Sequence, residues 1–256
     1  MNRNFGIEIE ATNASMSAVA QALNAAGIPC SVEGYNHNTR GHWKVVSDCS
    51  LTGSQAFELV SPILQGANGI EQVKTVGRVL TAIGAKVNTS CGLHVHVDAR
   101  GLTQPELKRI CKMWMKYEAC FDSIVPASRR NNRFCQAIRT KYATLDAAFA
   151  AIDAARNLGD LRVAVNGISG SPSRYHKLNL ESLLRHGTVE FRQHSGTVDA
   201  DKMTNWVELV GAFVECAIEA KTIRKTGEGK FENLLDVTPV AAVKKFYRER
   251  REALAA

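Results

Sequence analysis

The chain has 256 residues, a formal net charge of +7, 45% hydrophobic and 22% charged residues, and a mean hydropathy of −0.15. A chain of that length buries roughly three quarters of its unfolded surface, so it needs no disulfide or metal staple merely to fold. The seven scattered cysteines include no CxxC pair, the N-terminal MNRNFGIEIEAT has no apolar h-region, and no stretch approaches the ~18 apolar residues of a membrane span; this argues against a structural zinc site, a secreted disulfide framework and a membrane protein, and a cytoplasmic location is the expectation.

FGIEIEA reads as a strand, because Phe5, Ile7 and Ile9 alternate with positions 6, 8 and 10 and put Glu8 and Glu10 on one face. Residues 15–26 carry Val19, Ala22, Leu23 and Ala26 at helical spacing, closed by Gly27. WKVVSD and AFELVSP read as strands ended by Gly53 and Pro62, and Ile70, Val73, Val76, Leu80 and Ile83 mark a helix stopped by Gly84. LHVHVDA alternates Leu93, Val95 and Val97 with His94, His96 and Asp98. Thr103-Gln104-Pro105-Glu106 is a capping-box signature opening a helix that ends before Pro126. Residues 145–158 predict an Ala-rich helix stopped by Gly159, after which LRVAV and YHKLNL are expected to be strands. In TVEFRQHSGT, Val189 and Phe191 oppose Glu190, Arg192 and His194. Trp206, Leu209, Val210, Phe213 and Ala217 mark a last core helix, and a basic tail runs from about residue 222.

No repeat or Pro/Gly/Ser linker divides the chain, so residues 1–256 are expected to form one domain. Strands with one polar face and helices to cover the other predict an α+β fold with a curved, mainly antiparallel sheet and helices on its outer face. Residues 100–145 hold ten Lys/Arg against three Asp/Glu, a local +7 (10 − 3), which suits either a solvated face or an anionic partner.

Any one polar row is ordinary for a strand facing water, and Glu8/Glu10 alone is more often surface than site. The set is harder to dismiss, since His-x-His, Glu-x-Glu and Glu-x-Arg differ from the Lys/Thr/Ser/Gln mixture of a wet face. Carboxylates brought together repel and raise one another's pKa unless a cation sits between them. Many carboxylates with one or two imidazoles favour Mg2+ or Mn2+ over zinc. Arg192, two residues from Glu190, has a planar fork suited to phosphate, and phosphoryl transfer needs such a combination. No P-loop or dinucleotide motif occurs, and Gly227-Glu228-Gly229-Lys230 is too short to serve. Trp43, Trp114 and Trp206 fit core positions, and Cys91 fits packing.

FGIEIE, WKVVSDCSL followed by FELVSPIL, CGLHVHVD, RYHKLNL and TVEFRQHSGT stand in this order across residues 5–197. In that order they resemble the amidoligases, relatives of glutamine synthetase and glutamate–cysteine ligase. The resemblance implies a sheet of glutamine-synthetase catalytic type binding ATP and two or three Mg2+ (or Mn2+) ions. The expected reaction is carboxylate phosphorylation followed by attack of an amine, giving an amide or isopeptide bond. It implies Glu10, Asp48 and Glu58 as ligands of one metal and Glu8, His94 and Glu190 as ligands of a second. His96, Arg192, Arg174 and Lys177 would face nucleotide, phosphoryl group or substrate, with Arg130, Arg129 and Asn131 second. Asp48 is shorter than the glutamate expected there, which leaves room for a water. No N-terminal β-grasp domain is recognised, so ring assembly is not implied and the oligomeric state is open. The carboxylate, and the choice among ammonia, amino acid, peptide and an anionic or nucleotide-linked acceptor, are open too. Two other readings stand beside this one: a metal-dependent hydrolase using His94 and His96, and a nucleic-acid-binding protein using the 100–145 stretch.

Overall fold

A computed structural model describes residues 2–168, 170–224 and 227–255. In chain order the elements are β1 (Phe5–Ala11), α1 (Met16–Ala25), β2 (Cys30–Val32), β3 (Trp43–Val46), β4 (Phe57–Val60), α2 (Gly66–Ala82), β5 (Gly92–Asp98), α3 (Gln104–Asp122), α4 (Ala127–Arg130), α5 (Leu145–Ala154), α6 (Leu158–Asn166), β6 (Gly167–Ile168), β7 (Ser171–Pro172), β8 (Leu178–Asn179), α7 (Ser182–His186), β9 (Thr188–Ser195), α8 (Ala200–Glu219), α9 (Phe231–Leu235) and α10 (Ala241–Ala255). The class is α+β, and the pairs β1–β4, β3–β4, β6–β7 and β8–β9 are antiparallel while β2–β3 is parallel. The chain forms two compact units, residues 1–96 with 194–208, and residues 97–193 with 209–256. No linker marks the partition; the chain passes from one unit to the other inside β5, β9 and α8.

In the first unit the strands run β2-β3-β4-β1-β5. Period-two alternation decides which face each residue takes. Phe5, Ile7 and Ile9 of β1, Trp43 and Val45 of β3, Phe57 and Leu59 of β4, and Leu93 and Val95 of β5 are all essentially inaccessible to water. Helix α1, capped by the Ser15 side chain, buries Val19 and Leu23 and packs on β2, β3 and α2. Each fully buried aliphatic side chain contributes about 1.5–3 kcal/mol. That burial fixes the register, because a one-residue slip would exchange the apolar face for the Glu/His face. Gly27 and Gly84 close α1 and α2 with φ near +77°, the left-handed conformation glycine tolerates.

The second unit is mainly helical. The capping box at Thr103 and Glu106 forms as expected, and α3 buries Leu107, Ile110, Trp114 and Phe121. Trp114 stacks on Phe121 at 4.7 Å and meets Phe191 and Phe213 edge-on. The buried Glu118 carboxylate accepts from the Trp114 indole and from the backbone N–H groups of Ile138 and Arg139. Burial raises its pKa, against the lowering effect of Lys177 and these donors.

Three local expectations fail. LRVAV lies in α6, where Asn157 caps the Asp160 N–H and Leu161 and Val165, four apart, share the buried face. Gly159, expected as a helix stop, is inside α6, and α5 ends earlier at Ala154. YHKLNL is a strand only at Leu178–Asn179. In the basic tail, α10 forms and buries Val243 and Tyr247.

Gly77 of α2 shows which local force prevails. A Cβ there would sit 2.5 Å from Met203 Cε, which can move, and 2.8 Å from Ala200 Cα, which is backbone. Helix propensity alone favours alanine by about 1 kcal/mol. Overpacking costs about 1–3 kcal/mol. We therefore expect Gly77→Ala to lower the melting temperature by roughly 2–6 °C; a thermal melt in which the variant is more stable would refute this packing.

Candidate active site

The first unit's polar face is built by strand pairing. Glu10 lies directly opposite Glu58 and Glu8 opposite Val60, so three carboxylates project from adjacent strands on one side. Lys44 also lies opposite Val60 and Val46 opposite Glu58, which puts Lys44 on the same face. On β5, next to β1, His94 and His96 alternate with the core residues Leu93 and Val95.

His94 is buried between two carboxylates. Its Nδ1 is 3.0 Å from Glu8 Oε2 and its Nε2 is 3.7 Å from Glu10 Oε1. His96 Nε2 lies 3.4 Å from Glu8 Oε1. The Gly92 N–H donates to Glu10 Oε2 at 2.5 Å. Burial pushes the Glu8 carboxyl up, but hydrogen bonds and positive charge from His94 and His96 outweigh it and hold the group well below its ordinary pKa. Glu58 goes the other way. Burial, and then the negative charges of Glu8, Glu10 and Asp48, push it well above the ordinary value.

This donor set fits a divalent cation. Glu10, Glu58 and His94 each offer a ligand atom, all within 4.8 Å of one another. A proton on His94 Nδ1, facing Glu8, leaves Nε2 as a lone-pair donor toward Glu10 and Glu58, the carboxylate–histidine arrangement that orients metal ligands. Burial and the crowding of Glu8, Glu10 and Asp48 raise Glu58, a repulsion that a divalent cation held there would relieve. Two carboxylates with one imidazole match Mg2+ or Mn2+ better than a zinc site. Asp48 sits on the loop after β3, where one carboxylate oxygen accepts from the Ser50 N–H at 2.7 Å; its charge reaches Glu58.

Lys44 was not anticipated. It is 2% exposed, and its ammonium donates to Asn36 O, Asn36 Oδ1 and Asn38 O at 2.8–2.9 Å, pinning the 33–42 connection between β2 and β3. Burial lowers its pKa, against the raising charges of Glu33, Glu58 and Glu8. The only signal in the sequence was a lysine set among the apolar residues of WKVV.

In the second unit, Glu190 and Arg192 of β9 form an ion pair. Asn179 Nδ2, opposite Glu190 in the β8–β9 register, donates to Glu190 Oε2 at 2.6 Å. Lys177 is wholly buried, with Nζ 2.6 Å from Asp122 Oδ1, the oxygen that also accepts from Gln193 Nε2. Its charge is thus committed to Asp122, while its carbonyl accepts from the Arg192 N–H. Arg129 is buried and donates to the carbonyls of Arg192 and Gln193, so it braces β9. Arg130 and Arg174 are exposed; Arg130 Nε donates to Val125 O, and the Arg174 guanidinium lies 5.3 Å from the Tyr175 ring. Asn131 ends α4. His194, in the first unit, is buried against Trp206, with Nδ1 2.7 Å from Ser195 O. Asn179, Asp122 and Gln193 are neighbours of the expected residues that alternation alone did not single out.

Residues 1–214 match the model of a family described as "Putative amidoligase enzyme". No curated protein matches the chain. Among solved structures the chain is similar to one titled "Crystal structure of novel glutamine synthase homolog", at 12% identity and a TM-score of 0.39, over 97% of this chain and 64% of that one. This chain therefore spans just under two thirds of that structure's length.

Cation binding has a direct thermal readout. A ligand at a hundred times its Kd stabilises the native state by about 2.7 kcal/mol, roughly 5–10 °C for a chain of this size. Mn2+ or Mg2+ should raise the melting temperature of the wild type by that amount. Glu58→Gln removes a crowded charge, so the variant should melt no lower than the metal-free wild type and lose the cation-dependent rise. A wild-type melt indifferent to millimolar Mn2+ would count against the site.

Proposed function

The chain belongs to the amidoligase family, and from that premise we propose that it is an ATP-dependent carboxylate–amine ligase working through an acyl phosphate. The observation that carries the reading is the largely buried Glu10–Glu58–His94 cluster, with Glu58 driven up by burial and by neighbouring negative charge. Such a cluster is costly to fold around and is relieved by divalent cations of the kind that accompany triphosphates.

Glu10, Glu58 and His94 hold one cation in this reading, with Asp48 reaching it directly or through a water. Glu8, His94 and Glu190 are the set for a second, as the family resemblance implies. Bound Mg2+ or Mn2+ supplies charge neutralisation at the phosphates and a template for in-line transfer. Glu8 fixes the ring of His94 through Nδ1. His96 and Arg192 face the nucleotide phosphates, and Arg174 and Arg130 offer exposed guanidinium groups to phosphate or substrate carboxylate. Lys177 positions Arg192, its carbonyl accepting from the Arg192 N–H.

In the first step a substrate carboxylate oxygen attacks the γ-phosphorus; the bond to the β,γ-bridging oxygen breaks and ADP leaves. In the second, the amine nitrogen attacks the acyl carbon, the carbon–oxygen bond to phosphate breaks, the nitrogen loses a proton, and phosphate departs. Arg192 is suited to the charge on the transferred group because its planar fork pairs with two oxygens at once. Residues 1–256 act as one catalytic domain in this reading, with a curved sheet of glutamine-synthetase type, in the cytoplasm. The acceptor is an amine, amino acid or peptide. Among the described residues no helix is long and apolar enough to cross a membrane.

A screen of carboxylate and amine pairs with ATP and Mg2+, read as ADP release, tests this. Turnover should require both partners. In Arg192→Ala, kcat should fall about 10²–10³-fold, the loss typical of removing one donor to transition-state charge. Glu8→Gln should likewise abolish turnover. ATP-independent hydrolysis, or tightly bound zinc on metal analysis, would overturn the proposal.

A further inference from the structure

The second unit holds a groove of about 220 Å³ whose lining includes Lys108, Arg109, Lys112, Lys221 and Asp153. Four cations meet one carboxylate there. Some of this charge has a structural role. Lys108 Nζ donates to Asp153 O near the end of α5, and Arg109 donates to Ala217 O and Ile218 O near the end of α8. Lys112 pairs with the Asp153 side chain.

Capping does not consume the charge. Each helix C-terminus carries about half a negative charge. Two termini and Asp153 therefore offset about two of the four positive charges, leaving roughly +2. Exposed Glu219, at the end of α8, reduces that excess without cancelling it. Donors are also left over, since an ammonium has three N–H groups and Lys108 and Lys112 each show one bonded to Asp153.

We propose that this groove binds a small, multiply charged anion, of the class of pyrophosphate or a compact phosphorylated metabolite. Size and lining both favour a small ligand. The volume is below the ~300 Å³ at which pockets for larger organic ligands begin. No aromatic ring is among the lining residues, so a nucleobase has nothing to stack on. Trp114 and Phe121, in the same basic stretch, are fully buried and cannot serve as a platform for nucleic acid.

The test is titration calorimetry of the full chain with inorganic pyrophosphate, at low salt and with EDTA present so that no divalent cation bridges the probe to the acidic cluster. The wild type should bind and weaken as salt is added. Lys221→Glu, at an exposed residue, should bind about fivefold or more weakly, the scale of one exposed ion pair. Asp153→Asn should bind about fivefold more tightly, because it removes the competing carboxylate and frees Lys112. A gain is not expected of a carboxylate whose role is only to hold α3 to α5. Absence of binding at millimolar pyrophosphate, or equal affinity in all three proteins, overturns the proposal. So does Lys221-dependent binding of an oligonucleotide by a protein that ignores pyrophosphate.

Discussion

The first unit is organised by a conflict between apolar burial and carboxylate crowding. The β1, β4 and β5 side chains that fill the core alternate with Glu8, Glu10, Glu58 and His94, so no register can bury one set without aligning the other. The apolar contribution fixes the alignment. The electrostatic cost then appears where two carboxylates face each other, at Glu10 opposite Glu58. Glu58 bears it as a raised pKa, whereas Glu8 escapes because two imidazoles face it. Neighbouring carboxylates thus acquire opposite tendencies from their partners rather than from burial, which raises both.

This asymmetry also divides labour around His94. A histidine with a carboxylate at each ring nitrogen cannot satisfy both as a neutral ring, since only one nitrogen carries a proton. Either the ring is protonated and forms two ion pairs, or Nε2 faces a cation shared with Glu10 and Glu58. The second arrangement also lowers the repulsion among the carboxylates, so one bound ion relieves both strains. It adds His94 to Glu10 and Glu58, which the family resemblance groups with Asp48.

Strands with strict alternation and a distinctive polar set were legible. FGIEIEA, FELV, LHVHVD and TVEFRQHS all form, and their polar residues occupy the faces that a period of two requires. LRVAV was not, because Leu161, Val163 and Val165 satisfy a period of two as well as an i,i+4 helix stripe. The cap at Asn157 decided the outcome, leaving Val163 partly exposed. Lys44 was hidden for a related reason: alternation gives its face, but only the fold of the 33–42 connection supplies the three oxygens that make its burial tolerable. Lys177 followed the same logic. Its partner Asp122 is 55 residues away in sequence, and no local pattern pairs them.

The concentrated basic charge is resolved by the same accounting of partners. Of the cations in residues 100–145, Arg129 and Arg130 donate to backbone carbonyls, Lys141 to Val165 O, Arg139 to Tyr142 O and Glu228, and Arg100 to Asp98. A guanidinium bound to a carbonyl keeps its charge but loses freedom to follow a partner. These residues therefore act as fixed braces for irregular backbone, which explains why arginine outnumbers lysine in 129–141. Lys108, Lys112 and Lys116 follow one another at i,i+4 along α3, where long stems and single contacts leave ammonium donors to spare. One run of positive charge thus serves two physical purposes.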